Sequence, residues 1–380
     1  MKAVIAIDSF KGSLSSSEAG EAASRAIRYV FPEADIVQFP LADGGEGTVD
    51  ALTEGLAGRI ITTEVTGPLG KREASRYGII SDGRIAVIEM ADAAGLTMVP
   101  MELRNPLNTT TYGLGELIVQ AMDNGCREFI IGIGGSATND AGIGMLSALG
   151  AGLFQADGQR AGITGGSVKD IVRIDLSELD SRIRECTFHI ACDVNNPLCG
   201  DSGCSAVYGP QKGATPDIVR EMDEAIAKFA GLARRQYGIT GAELPGAGAA
   251  GGLGYAFHGF LGGSLEPGAK LVLNVLGIED ELKNADILIT GEGRMDSQTA
   301  MGKAPAEVAQ LAKTVNPSIK TIAVCGCAAP DADVVNKAGI DAYFPILHQV
   351  MSLDEAMDKA VADRNLYQTL VQVMRLLDFK

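Results

Sequence analysis

Apolar, β-branched residues open the chain at positions 3–7, and the run stops at Asp8-Ser9-Phe10-Lys11-Gly12-Ser13. Ala19, Ala22, Ala23, Ala26, Ile27 and Val30 then recur at helical spacing behind Ser15 and Glu18, a pair spaced as a capping box. Strand, polar loop and helix return in the same order at 34–40, where an extended run leads into Leu41-Ala42-Asp43-Gly44-Gly45-Glu46-Gly47-Thr48 before helical spacing resumes at Val49 and Leu52. Between Ile60 and about Pro100 the period changes to two. Apolar and polar residues alternate there, broken by Gly67-Pro68 and Asp82-Gly83, which predicts antiparallel hairpins.

The longer period then comes back. A strand at 128–133 runs into Gly134-Gly135-Ser136-Ala137-Thr138-Asn139-Asp140, with a helix predicted from about Asn139. A strand at 187–192 ends on Asp193, and Thr215-Pro216 supplies an N-cap and a first-turn proline for a long helix. Residues 245–254 are the densest glycine segment. A strand at 286–290, a loop at 291–297, a helix after Lys303 and strands at 321–325 and 341–347 follow, then a helix opened by Ser352 with Glu355. Both chain ends share a parallel α/β texture and the middle holds the hairpins. The expected fold class is therefore α/β with two domains: a parallel-sheet, Rossmann-like domain built from 1–63 and 281–380, and a central mixed α/β domain with antiparallel hairpins at 64–280.

Composition narrows the function classes. With 48 acidic against 32 basic residues the formal net charge is −16, which opposes a polyanionic backbone and excludes nucleic acid as the expected partner. Phosphorylated small molecules remain open to it, because local cations and backbone N–H groups can outweigh the global field. Seven scattered cysteines and three histidines match no zinc spacing, so the thiols are read as reduced and mostly buried. No apolar run reaches the length of a membrane span, and a cytoplasmic location is expected.

Acidic residues recur where strands meet glycine-rich loops: Asp8, Asp43 with Glu46, Asp193, and Glu292 with Asp296. Such acids also cap helices and tighten turns, and either role suits any one of them. Together they suit phosphoryl transfer, which needs a few carboxylates for Mg²⁺ beside a phosphate cradle. The cradle candidate is Gly132-Ile133-Gly134-Gly135-Ser136-Ala137-Thr138. The same stretch satisfies GxGxxA through Gly132, Gly134 and Ala137, which keeps open a second reading, an NAD(P)-dependent oxidoreductase of a small hydroxy acid. Lys11 and Arg294 each lie close to an acid in a strand-end loop and are read as functional, whereas Lys212 and Lys303 are read as solvated surface charges. His189 reads as a core residue. No P-loop, HRD, DFG or GxSxG motif is present.

Nine ordered blocks, among them IAIDSFKGSLSS (6–17), LADGGEGT (41–48), IEMADAAGL (88–96), GIGGSATNDAGIGM (132–145), ACDVNNPLCG (191–200), GAGAAGGLG (246–254) and ITGEGRMDSQT (289–299), closely resemble the bacterial glycerate kinases of the type I family. The resemblance covers nearly the whole chain. It implies ATP-dependent phosphorylation of D-glycerate to a phosphoglycerate, usually 2-phosphoglycerate, with glycerate and ATP as small-molecule partners, and a two-domain α/β architecture; Mg²⁺ is the metal the acidic loops suit, and a homodimer is left open. On that footing the expected catalytic residues are Asp193, Lys11, Arg294 and Asp43. Asp193 would accept or orient the attacking hydroxyl's proton, and Asp193, Glu292 and Asp43 would be the metal contacts. Asp8, Ser9, Lys11, Arg294 and Asp296 would bind the acid substrate, and Gly134, Gly135, Ser136, Thr138, Gly251 and Gly252 would face phosphates.

Overall fold

The computed structural model describes residues 1–377, so the last three positions of the expected 281–380 segment lie outside the described residues. The strands in chain order are β1 (Lys2–Ile7), β2 (Asp35–Gln38), β3 (Arg59–Thr66), β4 (Arg72–Ile80), β5 (Ile85–Glu89), β6 (Glu128–Gly132), β7 (Gly152–Phe154), β8 (Arg173–Asp175), β9 (Thr187–Ala191), β10 (Ser264–Glu266), β11 (Ile287–Met295), β12 (Lys320–Ala328) and β13 (Ala342–Pro345). The chain divides into two compact units. One comprises Met1–Asp43, Asp50–Ala57 and the segment from Ala269 onward, the other Gly44–Val49 and Gly58–Gly268.

In the first unit the order β13-β12-β11-β1-β2 is parallel throughout. Successive residues of β12 point to opposite faces. Ile322 and Val324 pack into a cluster with Ala19, Ala23 and Ile27 of helix Ser16–Val30 and Leu366, Leu370 and Met374 of helix Lys359–Arg375. Ala323 and Cys325 join Ala309 of helix Ala304–Val315 and Met295. Helices therefore cover both faces, as the near-continuous apolar strands require. Strand order reverses between β1 and β11, and open α/β sheets bind ligands in the crevice outside the carboxyl ends of their strands at such a reversal.

Residues 291–295, expected to be loop, instead continue β11: Glu292 and Arg294 stand in register with Cys325 and Cys327 of β12. The glycines at 291 and 293 argued for a break. Gly291 is instead required by packing, since a Cβ there would lie 2.1 Å from the Val324 carbonyl oxygen.

The second unit is built on a mixed sheet, β10-β9-β6-β5-β4-β3. β4 is antiparallel to both of its neighbours, β3 and β5, and β5, β6, β9 and β10 are parallel. Phe129 stacks on Phe188 at 4.9 Å between ring centroids, and Phe257 of helix Ala249–Leu261 closes on Phe188 at 6.0 Å. The helix expected from about Asn139 begins only at Ile143. The delay has a cause: the buried Asp140 carboxylate accepts from the amides of Thr111, Gly142 and Gly144 and the Thr111 hydroxyl, and this fixes a turn instead.

Candidate active site

Most of the loop residues singled out in the first unit converge on one cavity of about 410 Å³. Its polar side is Asp8, Ser9, Lys11, Asp43, Glu292, Arg294 and Lys303, and its apolar side includes Phe10, Ile346, Leu347, Leu353 and Met357. The first strand delivers Asp8: its amide continues the β1–β11 ladder to the Gly291 carbonyl at 2.9 Å, which sets the carboxyl beside the β11 acid. Asp8 is only 6% exposed. Burial, then the charge of Asp43, pushes its pKa up to about 7, with Glu292 acting in the same direction; the Ser9 amide, donating to Oδ1 at 2.7 Å, and the Lys11 ammonium offset part of the rise.

Glu292 is buried on β11 and its pKa is also raised, chiefly by burial. The Thr299 hydroxyl donates to one carboxylate oxygen at 2.5 Å and the Lys303 ammonium reaches the other at 3.4 Å. Thr299 in turn accepts from the Asp296 amide at 3.1 Å, so the turn after β11 is folded around the glutamate. Asp296 does not line the cavity. Its carboxylate accepts from the Gln298 amide at 3.0 Å and pairs with Arg294 at 3.4 Å, which holds the guanidinium over the site. Gly12 passes beneath Met357 in a left-handed conformation, φ 84°, and a Cβ there would lie 2.5 Å from Met357 Cε.

The remaining candidates belong to the second unit. Asp193, exposed at the end of β9, accepts from the Gly268 amide at 2.9 Å. Gly134 and Gly135 are exposed in the turn after β6, with Gly135 at φ 72°, while Ser136 and Thr138 are buried. Gly251 and Gly252 are buried, their backbone packed on the same turn: a Cβ on Gly251 would stand 2.2 Å from the Thr138 carbonyl oxygen, and Ala141 donates to the Gly251 carbonyl at 2.9 Å. Closeness to neighbouring backbone accounts for these glycines.

Lys212 corrects the surface reading. It is 2% exposed, and its ammonium donates to Ser136 Oγ at 2.7 Å and the Thr138 carbonyl at 2.6 Å. Lys303, also read as solvated, lines the cavity and pairs with Glu292. His189 is half-buried and bonded to Glu266 at 2.8 Å, clear of the cavity. All seven cysteines are free; Cys327 is exposed and lines the cavity.

The model of the glycerate kinase family matches residues 3–378. The chain belongs to the glycerate kinase family. The glycerate kinase of Haemophilus influenzae is 48% identical over 380 residues, covering 100% of both chains. The glycerate 2-kinase of Escherichia coli strain K12 is 46% identical over 99% of each. A crystal structure from Salmonella typhimurium LT2 that bears the name glycerate kinase 2 superposes with a TM-score of 0.91 at 45% identity, covering 99% of this chain and 98% of that one.

For a glycerate kinase family site, sequence reasoning missed the parts that act at a distance. Thr299, which holds Glu292, gave no signal beyond lying in the ITGEGRMDSQT block. The apolar wall comes from 346–357, where the chain pattern showed only a capping box. Glu89 was passed over inside IEMADAAGL. It is buried, accepts from the Val49 amide at 2.8 Å, and its pKa is pushed up to about 7, first by burial.

Proposed function

We propose that this member of the glycerate kinase family transfers the γ-phosphoryl group of ATP to a hydroxyl of D-glycerate, with 2-phosphoglycerate and ADP as products. The observation that carries the reading is the first-unit cavity, where Asp8, Asp43 and Glu292 stand with Lys11, Arg294 and Lys303 at the strand-order reversal of a parallel sheet. Phosphoryl transfer needs mostly position and charge compensation, and carboxylates beside fixed cations supply both.

The donor set fits a divalent cation, because Asp8 and Glu292 are nearly buried acids whose mutual repulsion, and that from Asp43, a cation would relieve. Among the described residues no group of three or more His, Cys, Asp or Glu side chains is gathered so as to hold a metal alone. That suits an ion that completes its shell with water and phosphate oxygens, and Mg²⁺ is the natural choice. Asp43 and Glu292 would hold it; when bound it neutralises charge on the phosphate oxygens.

The chain's own groups have the following roles. Lys11 and Arg294 hold the glycerate carboxylate and the transferring group, Arg294 in bidentate fashion. Ser9 and Asp8 orient them, with Asp296 fixing Arg294. Asp193 takes the proton of the attacking hydroxyl as oxygen bonds to phosphorus and ADP departs. The turn at Gly134, Gly135 and Ser136 faces phosphates, with Thr138, Gly251 and Gly252 supporting it. A cytoplasmic location, where ATP is supplied, goes with this reading.

Incubation with D-glycerate, ATP and Mg²⁺ should release ADP in step with acid phosphorylation, and phosphorus NMR should find the ester on carbon 2. Reduction of NAD⁺ by glycerate with no ADP formed would replace this reading with the oxidoreductase, which neither the family nor the cavity favours.

A further inference from the structure

We propose that Lys212 is a positioning residue that holds the Gly134–Ser136 turn open for an anionic phosphate and places a fixed positive charge behind it. The proposal rests on the reading of that turn as the nucleotide's phosphate cradle.

Among the described residues, the amides of Gly134, Gly135 and Ser136 donate no hydrogen bond within the chain, whereas their flanks are tied down: Ala137 donates to the Ala94 carbonyl at 2.8 Å and Leu96 to the Gly135 carbonyl at 2.8 Å. Successive unpaired amides with a left-handed residue between them form a concavity for an anion. Gly134 is open on its outer side, since a Cβ there would meet only Gly45, at 3.9 Å.

Behind this turn lies the Lys212 ammonium, held in a 3₁₀ turn at Pro210–Lys212. Its bond to Ser136 Oγ uses a lone pair of the hydroxyl, so the hydroxyl proton is left to point elsewhere, and its bond to the Thr138 carbonyl fixes the far side of the turn. The turn's own side chains do less of this: Thr138 Oγ1 and Asn139 Oδ1 are buried without a partner. A buried ammonium is costly, and a structural tie between a hydroxyl and a carbonyl could be made by a neutral donor. The buried Asp140 offsets part of that cost, and an anion on the other side of Ser136 would draw on the same charge.

The charged and titratable groups facing Lys212 are Asp140 on the 139–142 turn and Cys204 on the helix Cys204–Tyr208. Burial draws the lysine's pKa down to about 8, against the raising effect of both groups. Affinity for an anion at the turn should thus weaken as pH rises through about 8, where the ammonium is lost.

The test compares wild type, Lys212→Met, Lys212→Arg and Gly134→Val by steady-state kinetics and by calorimetric titration with ATP. Lys212→Met should raise the KM for ATP and its Kd about 10–100-fold, the range expected for a lost charged hydrogen-bonding group. KM for glycerate should change less than about twofold and Lys212→Arg should restore part of the loss, on the same ground. The wild-type rise in ATP KM above about pH 8 should vanish in Lys212→Met. Unchanged ATP KM in Lys212→Met, while Gly134→Val abolishes ATP binding, overturns the role of Lys212 and leaves the cradle standing. Unchanged binding in both variants overturns the cradle itself. If Lys212→Met does not fold, the wild-type profile decides: a flat ATP Kd from pH 7 to 9.5 overturns the proposal.

Discussion

Asp8→Asn should make the protein more stable above pH 7 while removing its activity. In the folded chain the Asp8 carboxyl, ordinarily at 3.8, is held near 7 by burial and by the charges of Asp43 and Glu292. Between about pH 4 and 7 the folded chain therefore keeps a proton that the unfolded chain releases. Stability falls as pH rises through that window and levels off above it. A rise from 3.8 to about 7 is worth about 4 kcal/mol, and with the residue 6% exposed little is lost to solvent screening. Asparagine keeps the oxygen that accepts the Ser9 amide and discards the charge. Urea unfolding in the absence of divalent cations should find the two proteins alike near pH 4, with the variant ahead by up to about 4 kcal/mol at pH 8. Titrating acids that do not act on Asp8, Glu89 among them, are common to both proteins and cancel in the difference. Adding Mg²⁺ should narrow the gap, because a cation binds the ionised wild-type site. A stability difference that does not vary with pH, or a wild type that is the more stable protein at pH 8, would refute the argument that Asp8 is strained by its neighbours.

Asp193→Asn should lower kcat by about 10²-fold or more with the fold intact by circular dichroism, and near-normal turnover would remove it as the base. Lys11→Met should raise KM for glycerate. An unchanged value with weakened ATP binding would move Lys11 to the nucleotide. Thr299→Val deletes the hydroxyl that holds Glu292 and should raise the Mg²⁺ concentration needed for half-maximal rate about 10-fold, as outer partners of metal contacts do; an unaltered Mg²⁺ dependence would count against Glu292 as a metal contact.

The parts of this structure legible in the chain are those whose causes are local. Ser15 with Glu18 and Ser352 with Glu355 form the capping boxes their spacing announced, and the alternation after Ile60 became the β3–β4–β5 meander. What escaped depends on partners far away in sequence. β11 runs on through Gly291 and Gly293 because β12 offers a continuous parallel edge, and no local propensity reports that edge. The helix after the glycine turn starts late because the Asp140 carboxylate gathers donors from Thr111 as well as from its own turn. Lys212 looked like an ordinary exposed lysine, and only its bonds to residues 76 and 74 positions earlier bury it. Asp8, Asp43 and Glu292 were singled out as acids set between apolar runs and glycine-containing segments, a local pattern; the Thr299 and Lys303 contacts that hold Glu292 were not legible.

The central claim is that the Asp43 and Glu292 carboxylates, beside the buried Asp8, hold a divalent cation in transfer from ATP. Electron paramagnetic resonance of Mn²⁺ with ATP bound tests it most directly, comparing the wild type with Glu292→Gln and Asp43→Asn. The account predicts Mn²⁺ immobilised by wild type with nucleotide and released by at least tenfold weaker binding in each variant, the scale of a lost charged contact. Equal Mn²⁺ affinity in all three proteins would contradict it.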